Sequence, residues 1–472
     1  MSLIICNLTV RTGRDHLPMH RISNGEAAVA APTHAARAIA GPLPKDVMPE
    51  QGIGPRAAYR LIDDELSLDG NPTLNLASFV TTWMEPEAQR LAAELVGKNL
   101  IDQDEYPQTQ ELHRRVVSIV ARLFNAPAGQ EAVGTATIGS SEAIMLAMLA
   151  HKRRWQLRRR AEGLDCERPN MVIGADVHTC WEKFARYFEV EARIAPLQEG
   201  RYTIGAEQVE PLLDERTIAV AGVLGTTFTG QLDDIGSIAG LLAKVERERG
   251  WSIPLHVDAA SGGFVLPFSE PELRWDFRLP QVRSINVSNH KFGLVYPGMG
   301  TVVFQSADDL PEELVFKISY LGGEMENYSL NFSRPSTQVI LQYFNFLALG
   351  REGYTRIVRA TLETAAALAN RLRELEELQL IGDGSRLPVV TARARDPRAL
   401  SLAEVSARLR ERGWIVPAYR LPANAQHIEV LRAVVKESFS LDMAEILARD
   451  LAWAISRCRS GGRPAARTRP HC

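Results

Sequence analysis

Two patterns of hydrophobic and polar positions alternate along most of the chain. From residue 57 onward, helical patterns are separated by short apolar runs, among them MVIGA (171–175), IAVAGVLG (218–225), IPLHVDA (253–259) and TVVFQ (301–305). Short apolar runs that alternate with helices are typical of buried parallel strands. The pattern therefore predicts an α/β fold with a mostly parallel central sheet flanked by helices.

The pattern changes in the last third of the chain. A long helical stretch over residues 336–376 is predicted to break near Gly350 and Gly353. The apolar runs after it, with one helix among them, predict a smaller α+β domain. The predicted segments are an N-terminal arm (1–73), a large domain (74–355), a small C-terminal domain (356–459) and a flexible C-terminal tail (460–472).

Composition narrows the class of partner. The formal net charge of the 472 residues is -3, so the chain has no overall basic field and nucleic acid is not expected as a partner. The five cysteines show no CxxC spacing, which fits the reducing cytoplasm and predicts no metal site. No uncharged apolar run reaches about 18 residues, so no membrane span is predicted.

The stretch GTATIGSSEAIMLAMLA (134–150) is the first candidate for chemistry, because small residues lead into a strongly helical sequence. Ser140 and Ser141 are predicted to lie at the helix N-terminus, where free N–H groups and the helix dipole favour a phosphate. A plain serine cap followed by Glu142 is the alternative, and the local sequence leaves it open.

Two later strands are followed by charged side chains. Asp258 ends the run IPLHVDA, and Lys291 follows the strand-like RSINVS (283–288). Ligands of α/β sheets lie beyond the carboxyl ends of the strands, although Asp258 could equally cap the following turn. A carboxylate can keep a pyridine nitrogen protonated, and a buried lysine amine can bond covalently to an aldehyde. Together with the serine pair, these residues predict a pyridoxal 5'-phosphate site.

Eight stretches of the chain carry a resemblance to a known family: LNLASFVTTW, KNLIDQDEYP, TIGSSEA, CWEKFARYFEVE, HVDAASGGF, HKFG, NFSRP and GREGY. By these stretches, and over residues 56–455, the chain resembles the glutamate decarboxylases of the bacterial and plant branch of the pyridoxal-phosphate-dependent group II decarboxylase family. GSSEA and HKFG recur in related decarboxylases, whereas KNLIDQDEYP together with NFSRP is narrower. The resemblance implies a fold-type I enzyme that converts L-glutamate to 4-aminobutanoate and CO2 and consumes a proton.

The same resemblance implies a role for each matching residue around the cofactor. Lys291 would bond covalently to the cofactor, and Asp258 would contact its pyridine nitrogen. The residues implied at the phosphate are Ser140, Ser141, Ser288 and His290, joined by Ser333 of a neighbouring subunit. Those implied beside the ring are His178, Thr227 and Ala260.

Five further residues are implied at the substrate. Ser78, Phe79, Asn99 and Asp102 would surround the distal carboxylate, where Asp102 is useful only if it is protonated or acts through water. Arg432 would bind the α-carboxylate, although its local sequence is equally consistent with a surface charge.

Three positions depart from the family pattern. Asn289 stands where glycine is usual, and asparagine tolerates left-handed backbone better than most residues. His178 stands where glutamine is usual, and Ser78 stands where threonine is usual. An imidazole can also stack on the ring, but His178 puts the substrate preference in question.

The resemblance leaves the donor of the proton to Cα open among Lys291, His290 and Tyr320. It also leaves two alternatives to glutamate decarboxylation: a decarboxylase of another amino acid on the same fold, and a catalytically silent scaffold.

The resemblance also bears on assembly and regulation. It implies a homo-oligomer, either a dimer with shared active sites or a hexamer. The proton consumed in each turnover suggests a role in acid resistance. In some bacterial relatives a histidine next to the C-terminus closes the site at neutral pH; His471 has this position, although a plain tail residue is the alternative. Plant relatives bind calmodulin through a longer tail, but the tail here lacks aromatic anchors and no calmodulin is expected.

Overall fold

The computed structural model describes residues 44–129, 131–319 and 325–459. Residues 44–71 belong to a separate unit that contains helix α1 (Pro55–Leu66). Pro55 fits the first turn of this helix, where its missing N–H is not needed, and Arg60 pairs with Asp64 at 3.6 Å. None of the residues of α1 is buried.

A seven-stranded sheet is the centre of the large domain in the described part of the chain. Its strands are β1 (Val133–Thr137), β2 (Asn170–Gly174), β3 (Glu191–Ala195), β4 (Thr217–Val223), β5 (Leu255–Asp258), β6 (Val282–Val287) and β7 (Gly300–Phe304). Their spatial order is β1-β7-β6-β5-β4-β2-β3. All neighbours from β6 to β3 pair in parallel, whereas β7 is antiparallel to both β6 and β1. The predicted α/β fold with a mostly parallel sheet is therefore confirmed, with β7 as the strand that makes it mixed.

Helices cover both faces of this sheet. They are α2 (Pro86–Leu95), α3 (Pro107–Leu123), α4 (Ser140–Ala161), α5 (Cys180–Tyr187), α6 (Ala206–Val209), α7 (Ile235–Arg249) and α8 (Leu266–Ser269). On one face, α4 and α5 bury apolar side chains such as Ile144 and Phe184. On the other face, apolar side chains of α3 and α7 pack against Val257 and Ile285 of the sheet.

A long helix, α9 (Thr337–Arg373), follows a short hairpin of β8 (Phe316–Ile318) and β9 (Met325–Asn327). The predicted break is confirmed at Gly350, where φ 58° and ψ -175° are not helical, while Gly353 is buried within the helix. Tyr354 of α9 belongs to the core of the large domain and Leu368 to the next core along the chain. The boundary predicted at 355/356 falls inside this helix and stays a prediction, as do the other segment boundaries.

The C-terminal part has its own sheet and core. Its elements are β10 (Leu378–Asp383), β11 (Val389–Ala394), α10 (Leu402–Arg410), β12 (Ala418–Arg420), β13 (Glu429–Val434) and α11 (Leu441–Arg459). The four strands pair antiparallel in the order β10-β11-β13-β12, and the helices bury side chains such as Val405 and Leu451. This confirms the smaller α+β domain. None of the helices in the described residues is long and apolar enough to cross a membrane.

The direction of the strands positions the site. β2, β4, β5 and β6 are parallel, and β1 has the same direction because two antiparallel pairings through β7 relate it to β6. The carboxyl ends of these five strands therefore meet at one edge of the sheet. Ligands of α/β proteins bind beyond such an edge.

Candidate active site

A cavity of about 560 Å³ lies beyond this edge, between the loops that follow β2, β4, β5 and β6 and the start of α4. Nine of the residues singled out in the sequence line it: Ser140, Ser141, His178, Thr227, Asp258, Ala260, Ser288, His290 and Lys291. Residues that are up to 151 positions apart in the chain are thus brought together around one volume.

One end of the cavity is rich in hydrogen-bond donors. Helix α4 begins at Ser140, with Gly139 as its N-cap, so the alternative of a plain serine cap is wrong. The hydroxyl oxygens of Ser140 and Ser288 lie 2.7 Å apart, and His290 Nδ1 accepts a hydrogen bond from the backbone N–H of Met299 at 3.2 Å. Hydroxyls and the free N–H groups of a helix start are groups that bind a phosphate.

Gly300 keeps the backbone behind this end close. A Cβ at position 300 would lie 2.6 Å from the carbonyl carbon of Gly139 and 2.9 Å from the backbone nitrogen of Ser140. Only glycine allows β7 to approach the start of α4 this closely. Glu142 fixes the same region, because its carboxylate accepts hydrogen bonds from the backbone N–H groups of Ile138 and Leu330 at 2.9 and 3.0 Å.

Three donors face the buried carboxylate of Asp258. Trp181 Nε1 donates to Oδ2 at 3.1 Å, while Asn286 Nδ2 and the backbone N–H of Ala260 donate to Oδ1 at 3.0 and 3.2 Å. The bond from Ala260 is the turn cap that the sequence allowed, so Asp258 both caps this turn and lines the cavity. Trp181 and Asn286 were not singled out from the sequence, although the alternation in SINVS, with polar side chains on one face of a central strand, was a signal for Asn286.

The amine of Lys291 is held among few polar groups. Its Nζ donates to Ser261 Oγ at 3.2 Å and lies 5.0 Å from the centroid of the Phe79 ring. Burial lowers the pKa of Lys291; the charges of Asp258 and the Cys180 thiol raise it, and the charge of Arg432 lowers it again. A lowered pKa increases the fraction of neutral, nucleophilic amine at a given pH.

Arg432, on β13 of the C-terminal sheet, is not among the residues that line the cavity, but it packs on the same Phe79 ring as Lys291. Its side chain is buried and donates to the carbonyl oxygen of Thr227 at 2.6 Å and to that of Ala77. The guanidinium carbon lies 4.9 Å from the centroid of Phe79, on whose ring Lys291 also lies, and 5.6 Å from that of Tyr419. The alternative of a surface charge is therefore wrong.

The two histidines of the cavity are neutral near pH 7. Burial, and secondarily the charge of Lys291, lowers the pKa of His290 to about 4. Burial is also the main cause that lowers the pKa of His178, whose Nδ1 accepts a hydrogen bond from the backbone N–H of Cys180 at 3.3 Å. A neutral imidazole can pack against a flat ring without bringing a second positive charge to it.

Asn289 points away from the cavity. Its side chain is buried, donates to Gln342 Oε1 at 3.0 Å and accepts from Thr301 Oγ1 at 2.8 Å. Position 289 is not among the residues with positive φ, so the expected left-handed backbone is not what accommodates this asparagine. Gln342 also donates to the carbonyl of Gly293, and Asn289 therefore joins the Lys291 loop to α9.

Three of the predicted substrate and phosphate residues form a group of their own. Asn99 Nδ2 donates to Asp102 Oδ1 at 3.2 Å and to Ser333 Oγ at 3.4 Å. None of the three is among the residues that line the cavity of Lys291. Ser78 does not line it either; its hydroxyl accepts from the backbone N–H of Val80 at 3.1 Å. Tyr320 and His471 lie outside the described residues.

Asp176 is a cavity residue that sequence reasoning missed. It is 1% exposed, and neither of its carboxyl oxygens has a hydrogen-bond partner within the described residues. Burial, with a smaller contribution from the charge of Asp258, raises the pKa of Asp176 to about 6. Its position two residues before His178, after a buried strand, was the available signal.

Comparisons with known proteins agree on one family. Residues 46–395 match the pyridoxal-dependent decarboxylase conserved domain. The chain belongs to the pyridoxal-dependent decarboxylase family. It is 51% identical to the glutamate decarboxylase of Petunia hybrida over 421 residues, 89% of this chain and 84% of the relative, and 44% identical to that of Aliivibrio fischeri over 88% of this chain and 89% of the relative.

A solved structure of a family member agrees with the fold. The glutamate decarboxylase of Lactobacillus brevis superposes with a TM-score of 0.86 at 43% identity, over 89% of this chain and 96% of that chain. The expected fold and the resemblance to this decarboxylase family are therefore confirmed.

The residues of the cavity fit the cofactor of this decarboxylase family. Pyridoxal phosphate offers an anionic phosphate, a ring nitrogen that can be cationic and an aldehyde. The cavity offers hydroxyls at a helix start for the first, the carboxylate of Asp258 for the second and the amine of Lys291 for the third. Each of these three groups of the cofactor has a chemically matched partner in the cavity.

Replacing Asn289 by glycine is expected to destabilise the protein. The change removes two buried hydrogen bonds, each worth about 1 kcal/mol, and leaves Gln342 and Thr301 without these partners. The thermal midpoint of the Asn289→Gly holoenzyme should fall clearly. Asn424→Gly is the matched control, because Asn424 is exposed at φ 69° and glycine tolerates that backbone. An equal midpoint for the two variants would show that the hydrogen bonds of Asn289 to Gln342 and Thr301 do not stabilise the fold.

Replacing Asp176 by asparagine is expected to stabilise the protein more at pH 8 than at pH 5. The pKa of this carboxyl in the folded protein is about 6, above its unfolded value, so its stabilising contribution is present at low pH and is lost as the pH rises through about 6. Above that pH an unpaired buried charge opposes folding. Thermal midpoints of wild type and Asp176→Asn at both pH values measure the difference, and a gain that does not depend on pH would show that Asp176 does not titrate here.

Proposed function

We propose that this protein removes the α-carboxylate of L-glutamate to give 4-aminobutanoate and CO2, with pyridoxal phosphate as cofactor. The observation that carries the proposal is the position of the Lys291 amine and the Arg432 guanidinium, each about 5 Å from the centroid of the Phe79 ring. An arginine that packs on the same ring as the covalent attachment point can bind an α-carboxylate through charge-assisted hydrogen bonds. The two relatives described above are both glutamate decarboxylases, which supports glutamate as the substrate.

The cavity residues singled out in the sequence then have defined tasks. The hydroxyls of Ser140, Ser141 and Ser288, with His290 and the start of α4, would hold the phosphate. Thr227, Ala260 and His178 would pack beside the ring. Asp258 would hold a proton on the ring nitrogen, because an adjacent carboxylate favours the cationic form. When bound, pyridoxal phosphate supplies an electron-accepting ring for the bond that breaks at Cα.

The proton that returns to Cα has three candidate donors. Lys291 lies in the cavity, and its lowered pKa makes its amine a better proton donor than an exposed lysine. His290 also lies in the cavity but is neutral near pH 7. Tyr320 is the third candidate. We favour none of the three over the others.

A direct test uses the purified holoenzyme. With L-glutamate it should release CO2 and 4-aminobutanoate, and Lys291→Ala should abolish the reaction. Arg432→Lys should lower kcat/KM by about 10- to 100-fold, because lysine cannot form the paired hydrogen bonds of a guanidinium. Arg420→Lys is the matched control, since Arg420 is exposed at the end of β12.

The outcomes of this test separate the alternatives. Faster release of CO2 from aspartate or an aromatic amino acid would replace the substrate and keep the reaction. A cofactor spectrum that no amino acid perturbs would indicate the catalytically silent scaffold.

We also propose that the protein is a homo-oligomer, at least a dimer, whose subunits share active sites. Asn99, Asp102 and Ser333 contact one another, and Ser333 is exposed, but none of them lines the cavity of its own chain. In a symmetric dimer, such a group on one subunit can complete the site of the other. The side chains of this group would then contact the distal carboxylate and the phosphate.

Mixing two inactive chains tests the shared site. A Lys291→Ala chain and a Ser333→Trp chain should each be inactive alone. If the site is shared, co-refolded 1:1 mixtures should regain about a quarter of the activity, because half of the dimers are hybrids and each hybrid has one intact site of two. If all residues of a site came from one chain, no hybrid would have an intact site and the mixture would stay inactive.

Two wider proposals follow from the reaction and the cysteines. One proton is consumed in each turnover, which suits a role in acid resistance, and closure of the site by His471 stays a prediction. Cys166, Cys180 and Cys458 are free thiols, which suits the reducing cytoplasm.

A further inference from the structure

A chain of hydrogen bonds continues from Asp258 into the protein interior, away from the cavity. Asn286 Nδ2 donates to Asp258 at 3.0 Å, and Asn286 Oδ1 lies 2.7 Å from His256 Nε2. His256 Nδ1 lies 2.7 Å from Ser284 Oγ, which lies 2.6 Å from His151 Nε2. All five side chains are at most 4% exposed. Such a chain is rare in the middle of a parallel sheet, where apolar side chains are the rule.

The register between strands β5 and β6 produces this chain of hydrogen bonds. On neighbouring parallel strands, His256 of β5 pairs with Ser284 of β6, and Asp258 pairs with Asn286. Side chains two positions apart on a strand point to the same face, so all four face α4 and α5. His151 completes the chain from α4, and the Trp181 ring of α5 packs edge-on against His256 with the centroids 5.5 Å apart.

The direction of every hydrogen bond in the chain is determined. Burial lowers the pKa of His256 to about 4 and that of His151 well below its usual value, so both imidazoles are neutral. A neutral imidazole has one donor and one acceptor. Because Asn286 gives its N–H to Asp258, its oxygen must accept from His256 Nε2–H. His256 Nδ1 must then accept from Ser284, whose oxygen accepts from His151 Nε2–H.

We propose that His256, acting through Asn286 and held by Ser284 and His151, is a positioning residue that keeps an N–H donor directed at Asp258. Without this support, the Asn286 amide could rotate and present its oxygen to the carboxylate. Two acceptors would then face each other, which would disfavour the ionised carboxylate that the ring nitrogen of the cofactor requires. The inference rests on the proposed contact between Asp258 and the cofactor, but not on glutamate as the substrate.

A purely structural role explains the chain less well. Satisfied buried polar groups add little stability over well-packed apolar ones, whereas a single unsatisfied group is costly. Four consecutive buried hydrogen bonds therefore stabilise a core less effectively than apolar side chains would. In all four hydrogen bonds the donor is directed towards the carboxylate of Asp258 at the cavity. This common direction is explained by a role at the active site.

The first test determines the tautomers in the wild-type holoenzyme. Nitrogen NMR of histidine-labelled protein, with signals assigned by single variants, should show His151 and His256 as neutral imidazoles protonated at Nε2. The alternative Nδ1–H tautomer at either histidine would reverse the direction of the hydrogen bonds and overturn the proposal. This measurement does not depend on substrate, so it stands even if the protein does not act on glutamate.

The second test measures the dissociation constant of pyridoxal phosphate for the apo-form of three variants. His256→Phe should weaken binding by about tenfold or more, since one lost buried hydrogen bond of about 1.4 kcal/mol corresponds to tenfold. His256→Gln should restore most of the affinity, because its amide N–H can still donate to Asn286. His113→Phe is the matched control, because His113 is also buried but bonds to the backbone of Ala136 and does not line the cofactor cavity.

Stability alone would not produce this pattern. His256→Phe and His113→Phe can both lower the thermal midpoint, but only His256→Phe should weaken the binding of pyridoxal phosphate. Equal dissociation constants for these two variants, or no recovery with His256→Gln, would overturn the positioning role.

Discussion

The site depends on the burial of three ionisable side chains. These side chains are the amine of Lys291, the carboxylate of Asp258 and the guanidinium of Arg432. Burial lowers the pKa of both basic groups. A buried charge is costly unless other groups compensate it. The fold therefore gives Asp258 three donors, and it gives Arg432 two carbonyl oxygens and two aromatic rings. Among the described residues, the hydrogen-bond partner of the Lys291 amine is one hydroxyl, that of Ser261, which leaves this amine the most available of the three groups for covalent chemistry.

Strand register provides these partners. On β5 and β6 the apolar side chains, such as Val257 and Ile285, enter the core beside α3 and α7, while the polar ones face α4 and α5. The polar positions are therefore part of a strict alternation, and a shift by one residue would place the carboxylate of Asp258 in the apolar core. The active site and the hydrophobic core thus require the same register, so packing of the core also aligns the catalytic groups.

The sequence predicted the elements and residues whose signal is local. Buried strands such as MVIGA were found because they are continuous apolar runs, and Lys291 was found because a motif surrounds it. β10 was missed, since LQLIGD has only half of its residues strongly apolar. Trp181 and Asn286 were missed because their function arises from a contact with Asp258 across 77 and 28 residues. The alternation in SINVS indicates the face on which Asn286 lies, but not this contact. The burial of Arg432 depends in the same way on Phe79, which is remote in the chain.

Buried histidines and buried carboxyl groups have opposite effects on the stability of the fold as the pH falls. Burial lowers the pKa of His113 to about 3 and those of His256 and His290 to about 4, so the unfolded chain binds more protons and stability falls as the pH drops below about 6.5. Burial raises the pKa of Asp176 to about 6 and that of Asp233 well above its usual value. The folded chain therefore binds more protons at these carboxyls, and their contribution to stability grows as the pH falls. Over about pH 4 to 6 the two effects oppose each other, so neutral buried histidines around the site need not make the fold acid-labile.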